Sequence, residues 1–383
     1  MTRPLRYAMI GGGVDAFIGA IHRHAAALDA RAVLAAGALS STPERSLESA
    51  KALGLPPDRS YESYEQLIER ETARPEPERV DFVSIVTPNH LHHPIAKACL
   101  QAGLHVVCDK PFTMTSAQSA ELRDLATSTG LVCAVTYNYT GYPLVREMRS
   151  LIESGAIGPI RKVYAEYHQG WLATDLESSG MKQASWRTNP EQAGIAGALG
   201  DIGTHAENLV SFVTGLEIES LCADLTSFVP GRPLDDDASV LLRFKGGAKG
   251  SLTCSQVCVG EENNLTLRIF GETGGLIWRQ ENPNVLERTS LAGDRTLITR
   301  GGDRSPTTNA ATRLPPGHPE GFIEAFANVY RGVCDAIEAK RAGGGVDTDN
   351  LTPTAHDGWR GVRFVELCVQ SARDGASWIQ WTD

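Results

Sequence analysis

Five short apolar segments alternate with helix-forming segments through residues 5–136, and this alternation limits the fold more than any other feature of the chain. The apolar segments are residues 5–10, 32–39, 81–86, 104–108 and 131–136. Between them, apolar residues recur at helical spacing, as in residues 17–28. Strands that alternate with helices at this pitch predict an α/β fold, with a doubly wound parallel sheet covered by helices on both faces.

The loops that follow these strands are expected to meet at one edge of the sheet. Crossovers between parallel strands are right-handed, so the carboxyl ends of the strands share an edge, and such sheets bind their ligands there. The loops at that edge are residues 11–17, 40–45, 87–92 and 109–112.

After Tyr139 the pattern changes. A long irregular stretch is followed by a helix-like segment over residues 201–214 and by strand-like segments joined by short turns containing Gly or Asn. Such turns favour antiparallel pairing. We therefore predict two domains: residues 1–138 with the parallel sheet, and residues 139–383 as an α+β domain with a large, mainly antiparallel open sheet for substrate binding and oligomerisation.

Composition narrows the classes of partner. Asp and Glu number 46 against 36 Lys and Arg, a formal charge of −10, which disfavours binding to nucleic acid. The apolar runs are far shorter than the roughly 20 residues that cross a bilayer, and no signal peptide fits ahead of the first glycine turn. The eight cysteines form no C-x-x-C pair, which is typical of reduced thiols. We expect a cytoplasmic protein that binds neither nucleic acid nor membranes.

The segment Gly11–Gly19 has the context of a dinucleotide-binding turn, because it follows a strand and opens a helix. Glycines let the backbone approach a pyrophosphate, and the helix N-terminus offers N–H groups and positive charge. The third glycine follows Gly13 by six residues rather than three, so either the turn is three residues longer or Ala16 takes the third place. The predicted cofactor contacts in this turn are Gly11, Gly12, Gly13, Ala16, Phe17 and Ile18.

The end of the second predicted strand bears on the choice between NAD and NADP. An acid at this position accepts a hydrogen bond from the ribose of NAD. This chain instead has hydroxyls and an arginine, in Ser40, Ser41 and Arg45, which suit a 2′-phosphate. We therefore expect NAD(P) with a preference for NADP, unless Arg45 is an ordinary surface residue of its helix.

Five stretches in order resemble the Gfo/Idh/MocA family, which includes glucose–fructose oxidoreductase and inositol dehydrogenase. They are residues 11–19, Thr87-Pro88-Asn89-His90-Leu91-His92, residues 103–111, Trp186-Arg187 and Asp201-Ile202-Gly203-Thr204-His205. The E-K-P of the family is Asp109-Lys110-Pro111 here, which keeps the lysine. The resemblance implies a Rossmann domain and hydride transfer between NAD(P) and a sugar, cyclitol or similar polyol. Further cofactor contacts are expected from Thr87, Pro88, Asn89, His92, Asp109, Lys110, Asn138, Trp186 and Arg187, and a metal site at the clustered histidines is disfavoured.

Lys110, Asp201 and His205 are the predicted catalytic residues. Oxidation of an alcohol needs a base for the hydroxyl proton and a positive group for the developing alkoxide. Lys110 ends the fourth predicted strand at the ligand edge. Asp201 and His205 are four residues apart, on one helix face, where a carboxylate raises the pKa of a histidine and orients it. His205 is then the general base, aided by Asp201 and Lys110. If Asp201 instead contacts substrate hydroxyls directly, it supplies specificity. The alternative for the pair is a helix-capping Asp and a buried structural His.

The rest of the substrate pocket is expected from the second domain, where aromatic faces and polar groups suit a polyol. The predicted substrate contacts are Lys110, Tyr142, Trp171, Lys182, Arg187, Asp201, His205 and His318. The leading hypothesis is an NAD(P)-dependent sugar, cyclitol or glycoside dehydrogenase. The alternatives are a redox-assisted glycoside-cleaving enzyme and a non-catalytic NAD(P)-binding regulator. Apolar residues on both faces of the segment 250–258 predict a homodimer or homotetramer.

Overall fold

The computed structural model describes residues 3–345 and 350–382, which divide into two compact units. The first unit holds the described residues up to Asn138 and those of Phe322–Trp359. The second unit holds Tyr139–Gly321 and the described residues from Arg360 onward.

The first unit is built on a five-stranded parallel sheet in the order β2-β1-β3-β4-β5. Its strands are β1 (Leu5–Gly11), β2 (Ala32–Ala38), β3 (Phe82–Val86), β4 (His105–Cys108) and β5 (Cys133–Val135). Its first helices are α1 (Phe17–Leu28), α2 (Pro43–Ala52), α3 (Tyr64–Thr72), α4 (His92–Gln101) and α5 (Ser116–Thr129). The predicted doubly wound fold is confirmed. The strand order reverses between β1 and β3, where open sheets of this kind bind ligands.

The ends of the helices follow from local sequence. Helix α5 begins after Thr115, whose side chain accepts a hydrogen bond from the N–H of Gln118, and it ends at Gly130 with a φ of +69°. Hydroxyl residues are preferred at the N-cap of a helix because their oxygen accepts a hydrogen bond from an unpaired helix N–H. Glycine is preferred at the C-terminal end because it adopts the left-handed region without strain. The Thr115 cap fixes the end of the short connection from β4 into α5, which carries residues 109–112.

The second unit is built on a nine-stranded sheet in the order β13-β12-β11-β10-β6-β9-β8-β7-β14, antiparallel except where β6 pairs with β9. Its strands are β6 (Ile160–His168), β7 (Ile218–Thr226), β8 (Asp237–Phe244), β9 (Lys249–Ser255), β10 (Asn264–Gly271), β11 (Gly274–Arg279), β12 (Val285–Ser290), β13 (Arg295–Thr299) and β14 (Ile379–Gln380). Its helices are α6 (Pro143–Glu153), α7 (Lys182–Arg187), α8 (Pro190–Ala193), α9 (Thr204–Thr214) and α10 (Pro306–Ala311). The predicted large, mainly antiparallel sheet is confirmed.

One face of this sheet is covered by helices. Along β8 the buried residues Val240 and Leu242 alternate with Leu241, which is 52% exposed. Helices α6 and α9 pack on the inner face of β6, β10 and β11. Alternation of this kind is expected where only one face of a sheet is buried.

Two further helices complete the chain, α11 (Phe322–Arg341) and α12 (Ala355–Arg373), and α12 continues from the first unit into the second. Helix α11 lies against α1, and its residues Phe326 and Tyr330 share one buried core with Tyr7 and Phe82 of the parallel sheet. A parallel sheet needs cover on both faces, and α11 supplies part of it. This corrects the predicted division of the chain, in which every residue after 138 belonged to the second domain.

No helix within the described residues is long and apolar enough to cross a membrane.

Candidate active site

The glycine turn after β1 brings helix α1 into close contact with the strand. Gly11 and Gly12 have φ values of +77° and +65°, in the left-handed region. A Cβ on Gly19 would lie 2.3 Å from the carbonyl oxygen of Gly12, and one on Gly11 would lie 2.3 Å from that of Val86. Gly19 therefore acts as the third glycine, because only glycine permits this approach. The turn is the longer of the two forms that the sequence allowed, and Ala16 is the residue that precedes α1.

The N-terminus of α1 is open to a ligand. Ala16 makes no side-chain cap, the first turn carries no acidic residue, and Phe17 is 71% exposed. The first N–H groups of the helix thus lack a side-chain acceptor, while the glycines remove side chains from the approach. This is the arrangement that binds a pyrophosphate, so the residues fit a dinucleotide cofactor. Ile18, in the first turn of α1, is half-buried.

The residues expected to read the 2′ position lie at the end of β2. Ser40 is half-buried, and Ser41 and Arg45 are exposed. Arg45 Nη2 lies 3.1 Å from Oδ2 of Asp15, which belongs to the glycine turn. The guanidinium is therefore beside the turn, and it is already paired with a carboxylate there.

His92 joins the loops that follow β3 and β4. It is fully buried, with Nδ1 2.8 Å from the carbonyl oxygen of Pro111 and Nε2 2.9 Å from that of Thr87. Burial lowers its pKa, so the ring stays neutral and donates to one of these oxygens at a time. Both of its ring nitrogens face main-chain oxygens, whereas the sequence motif predicted that His92 contacts the cofactor. The other residues expected to do so in these loops are partly or wholly buried, namely Thr87, Pro88, Asn89 and Asn138.

Lys110 follows Asp109 at the end of β4 and is half-buried. The Asp109 Oδ1 atom accepts hydrogen bonds from the main-chain N–H of Lys110, at 3.2 Å, and from the hydroxyl of Thr136, at 2.5 Å. Burial alone would raise the pKa of Asp109, but His22 and the Thr136 hydroxyl hold that pKa below its usual range. Asp109 is thus an inward-facing carboxylate that fixes the backbone of Lys110.

Asp201 lies in a π-helical turn, Leu199–Gly203, directly before α9. The sequence predicted an ordinary helix from residue 201. A Cβ on Gly203 would lie 3.0 Å from Sγ of Cys254, so the turn packs closely on β9. π-Helical turns are rare in proteins overall, and those that occur are often found at functional sites.

The Asp201 carboxylate is held by two donors. Its Oδ2 atom accepts from Nε of Arg187 at 3.1 Å and from Nε2 of Gln256 at 2.9 Å. The guanidinium of Arg187 lies 4.3 Å from the ring centre of Trp186 and 5.9 Å from that of Trp171. The structure thus brings together four of the predicted residues, and sequence reasoning missed Gln256.

Two tyrosines surround His205, which is buried on α9. The ring of Tyr139 lies edge-on at 4.8 Å from the imidazole, and Tyr167 lies at 6.3 Å. The two hydroxyls are hydrogen-bonded to each other, and Tyr167 donates to Oδ1 of Asn263 at 2.7 Å. Burial raises the pKa of both tyrosines, so they remain neutral hydroxyls.

A chain of amide groups extends this network to Trp171. Gln169 donates to Asn263 Oδ1 at 2.8 Å and accepts from the Trp171 indole N–H at 3.0 Å. Tyr167 is the second-last residue of β6, and Asn263 directly precedes β10, which pairs with β6. Only that pairing brings the two residues together, so the sequence held no local signal for the network.

Three of the predicted substrate residues have other surroundings. Tyr142 is buried in a stack with Tyr139, and its hydroxyl accepts a hydrogen bond from Gln280. Lys182 is exposed at the start of α7. His318 is exposed, and its carbonyl oxygen accepts from Arg300. The described contacts therefore make Tyr142 a support for Tyr139 and do not place Lys182 or His318 in the cluster around Asp201.

Within residues 3–345 and 350–382, no group of three or more His, Cys, Asp or Glu side chains is arranged to hold a metal ion.

Comparison with known proteins identifies both halves of the chain. Residues 5–137 match the family described as "Oxidoreductase family, NAD-binding Rossmann fold", and residues 145–277 match the "GFO/IDH/MocA C-terminal domain". The uncharacterized oxidoreductase YfiI of Bacillus subtilis is 36% identical over 386 residues, which cover 100% of this chain and 98% of that protein. Levoglucosan dehydrogenase of Pseudarthrobacter phenanthrenivorans is 31% identical over 332 residues, covering 78% and 80% of the two chains.

Solved structures show the same architecture. The inositol dehydrogenase homologue of Azotobacter vinelandii, in complex with NADH and myo-inositol, has a TM-score of 0.92 at 36% identity. The match covers 100% of this chain and 98% of that one. The family resemblance drawn from five sequence stretches is confirmed.

Proposed function

This chain belongs to the Gfo/Idh/MocA family of NAD(P)-binding oxidoreductases, and on that premise we propose that it transfers a hydride between nicotinamide and a secondary alcohol of a sugar, cyclitol or glycoside. The observation that carries the proposal is the cluster around Asp201. A carboxylate, a guanidinium, amides and indole rings are gathered there. Such a set matches a polyol, which has both hydroxyls and apolar C–H faces. The Azotobacter neighbour was solved in complex with myo-inositol, and another relative is a levoglucosan dehydrogenase.

The proposed roles follow from the chemistry of each side chain. The bound cofactor supplies the nicotinamide that exchanges the hydride. Lys110 donates a hydrogen bond to the reacting oxygen and stabilises its negative charge. His205 takes the hydroxyl proton on its imidazole, within the neutral surroundings of Tyr139 and Tyr167. Asp201, held by Arg187 and Gln256, orients the substrate hydroxyl or the imidazole.

We further propose that NADP binds at least as well as NAD. The residues that follow β2 include Ser40 and Ser41 where an NAD-binding chain has an acid, and the Arg45 guanidinium lies beside the glycine turn. Asp15 opposes this preference, because its carboxylate already pairs with Arg45 and would repel a 2′-phosphate.

We also propose a cytoplasmic homodimer or homotetramer. All eight cysteines are free, and six of them are buried, which suits a reducing compartment. The outer face of the nine-stranded sheet carries Tyr164, Leu241 and Phe270 beside charged residues, which makes it the surface proposed for assembly.

Two alternatives share the fold. A glycoside-cleaving enzyme would use the same oxidation to acidify the C–H next to the new ketone and release an aglycone. A non-catalytic regulator would need the cofactor turn but none of Lys110, Asp201 and His205, and the dehydrogenase relatives argue against it.

The deciding experiment is a panel of sugars, cyclitols and glycosides, including myo-inositol and levoglucosan, tested with NAD and with NADP. Reduced nicotinamide is followed by absorbance, and products are identified by mass. Lys110→Ala serves as the inactive variant, and Lys97→Ala, on the surface of α4, is its matched control. Oxidation of at least one polyol by the wild type and by Lys97→Ala supports the proposal. Turnover of no member of the panel would contradict it, and release of an aglycone would favour the glycoside-cleaving alternative.

A further inference from the structure

A buried chain of polar groups leads to Asp109 within the first unit. His22, on α1, is fully buried, and its Nδ1 atom lies 2.7 Å from the hydroxyl of Tyr330 on α11. The Tyr330 hydroxyl in turn lies 2.8 Å from that of Ser84 on β3. On the opposite side of the ring, His22 Nε2 lies 3.7 Å from Oδ2 of Asp109.

The directions of the hydrogen bonds follow from these neighbours. Asp109 is a carboxylate and accepts only, so the ring proton of His22 belongs on Nε2, facing it. The Nδ1 atom then accepts from the Tyr330 hydroxyl, and the Ser84 hydroxyl donates to Tyr330. The Nε2 atom faces the carboxylate at 3.7 Å, which is a close approach but too long for a hydrogen bond.

Burying polar groups costs free energy unless they are paired, and apolar side chains of similar size often fill such a space without loss of stability. The surrounding residues, including Phe326 against the His22 ring at 4.7 Å, already supply apolar packing. The proposed reaction likewise assigns no role to His22, Ser84 or Tyr330.

We propose that His22 is a positioning residue for Lys110 and acts through Asp109. One carboxylate oxygen faces His22, and the other accepts the main-chain N–H of Lys110 and the hydroxyl of Thr136. His22 thus limits the position of one carboxylate oxygen by direct packing, and the other oxygen is bonded to the backbone from which the Lys110 side chain projects. Because hydride transfer depends on sub-ångström placement, this support acts on turnover. The inference rests on the proposed role of Lys110.

The test compares His22→Gln with His24→Gln, an exposed histidine two residues further along the same helix. We measure kcat and KM for the best polyol, the Kd of the reduced cofactor by fluorescence, and the melting temperature. His22→Gln is expected to lower kcat by about 10- to 100-fold and to change the Kd less than about threefold. His24→Gln is expected to match the wild type. An unchanged kcat in His22→Gln would overturn the proposal.

A double variant distinguishes an effect of His22 that passes through Asp109 from an independent effect on kcat. If His22 acts through the carboxylate, adding His22→Gln to Asp109→Asn causes no further loss of kcat, whereas independent effects would multiply. Multiplied losses would contradict the proposal.

Two further variants complete the design. Should His22→Gln melt far below the wild type, Tyr330→Phe decides, because it removes only the hydroxyl that donates to His22. A loss of kcat in the same direction supports the proposal, and an unaltered kcat overturns it. Lys110→Ala tests the proposed role of Lys110 separately from the proposed role of His22. Near-normal turnover in Lys110→Ala refutes the proposed role of that lysine, whereas its loss beside an active His22→Gln refutes only the role of His22.

Discussion

At the residue scale, Lys110 and His205 are expected to control turnover rather than cofactor affinity. Lys110→Ala and His205→Ala should each lower kcat by at least about 100-fold, because one removes the charge beside the reacting oxygen and the other removes the base. Cofactor Kd, measured by fluorescence, should stay nearly constant. Near-normal turnover in Lys110→Ala, or a His205→Ala defect explained wholly by unfolding, would refute these roles.

Asp201 should behave differently from this pair. Its carboxylate is bound by Arg187 and Gln256, so it is suited to orienting groups rather than to moving a proton. Asp201→Asn should raise KM more than it lowers kcat, as steady-state kinetics on the best substrate will test. A loss of kcat as large as that of His205→Ala would assign Asp201 a direct part in proton transfer.

Cofactor choice is also decided by single residues. Asp15→Asn should tighten NADPH binding by several-fold, because it removes a carboxylate that competes with the 2′-phosphate for Arg45. Ser40→Asp should weaken NADPH by roughly tenfold and leave NADH almost unchanged. Glu44→Gln, an exposed acid on the next helix, is the control for charge alone. Fluorescence titrations with NADH and NADPH measure all four proteins, and a wild type that strongly prefers NADH would refute the expected role of Arg45.

The site residues that could be predicted from the sequence are those whose position follows from a local pattern. Lys110 and the glycines were found because parallel strands end at one edge, and Asp201 and His205 because they stand in a recognised spacing. Gln256 and Asn263 were missed because they follow or precede β9 and β10, which both pair with β6, a strand far earlier in the chain. No local pattern reveals which strands pair.

At the element scale, regular structure was predictable where apolar periodicity is strong. The five parallel strands and the helices between them lie close to the predicted positions. Strands β12 and β13 could not be predicted from alternation, because only one residue in each is buried. The π-helical turn at Leu199–Gly203 was taken for the start of α9, since its sequence obeys the same spacing as an ordinary helix.

The pairing of β4 with β5 should make stability depend on pH. His105 Nδ1 accepts the N–H of Val132 at 2.9 Å, and burial lowers the pKa of His105 from 6.5 to about 4. The unfolded chain therefore takes up a proton at a higher pH than the folded chain does. The contribution of His105 to stability is complete above pH 6.5 and declines as the pH falls toward 4.

His105→Gln should reduce this dependence. Its melting temperature should fall less between pH 7 and pH 4.5 than that of the wild type, as thermal unfolding at a series of pH values will measure. His24→Gln, at an exposed position, should keep the wild-type slope. Equal slopes in all three proteins would exclude His105 as the titrating group.

At the scale of the whole molecule, the chain returns to its first unit after completing most of its second. Helix α11 covers part of the parallel sheet, although β5 ends at Val135 and α11 begins only at Phe322. Its apolar stripe predicts only a helix with one buried face. Whether that face meets the first sheet or the second is decided by which surface is still uncovered, and that cannot be read from order along the chain.

The outer face of the nine-stranded sheet should form the interface between copies of the chain. Leu241, Ser251, Tyr164 and Arg268 lie side by side across β8, β9, β6 and β10, in a row that the helices of the second unit leave uncovered. An apolar leucine at 52% exposure in the middle of a broad sheet is stabilised when a second copy removes it from water. Sedimentation at micromolar concentration should show a dimer or a tetramer. Leu241→Arg should shift the protein to a smaller species, whereas Leu28→Arg, an exposed leucine on α1, should not. A wild type that sediments only as a monomer would remove the basis for this interface, and an unchanged Leu241→Arg oligomer would move it to another surface.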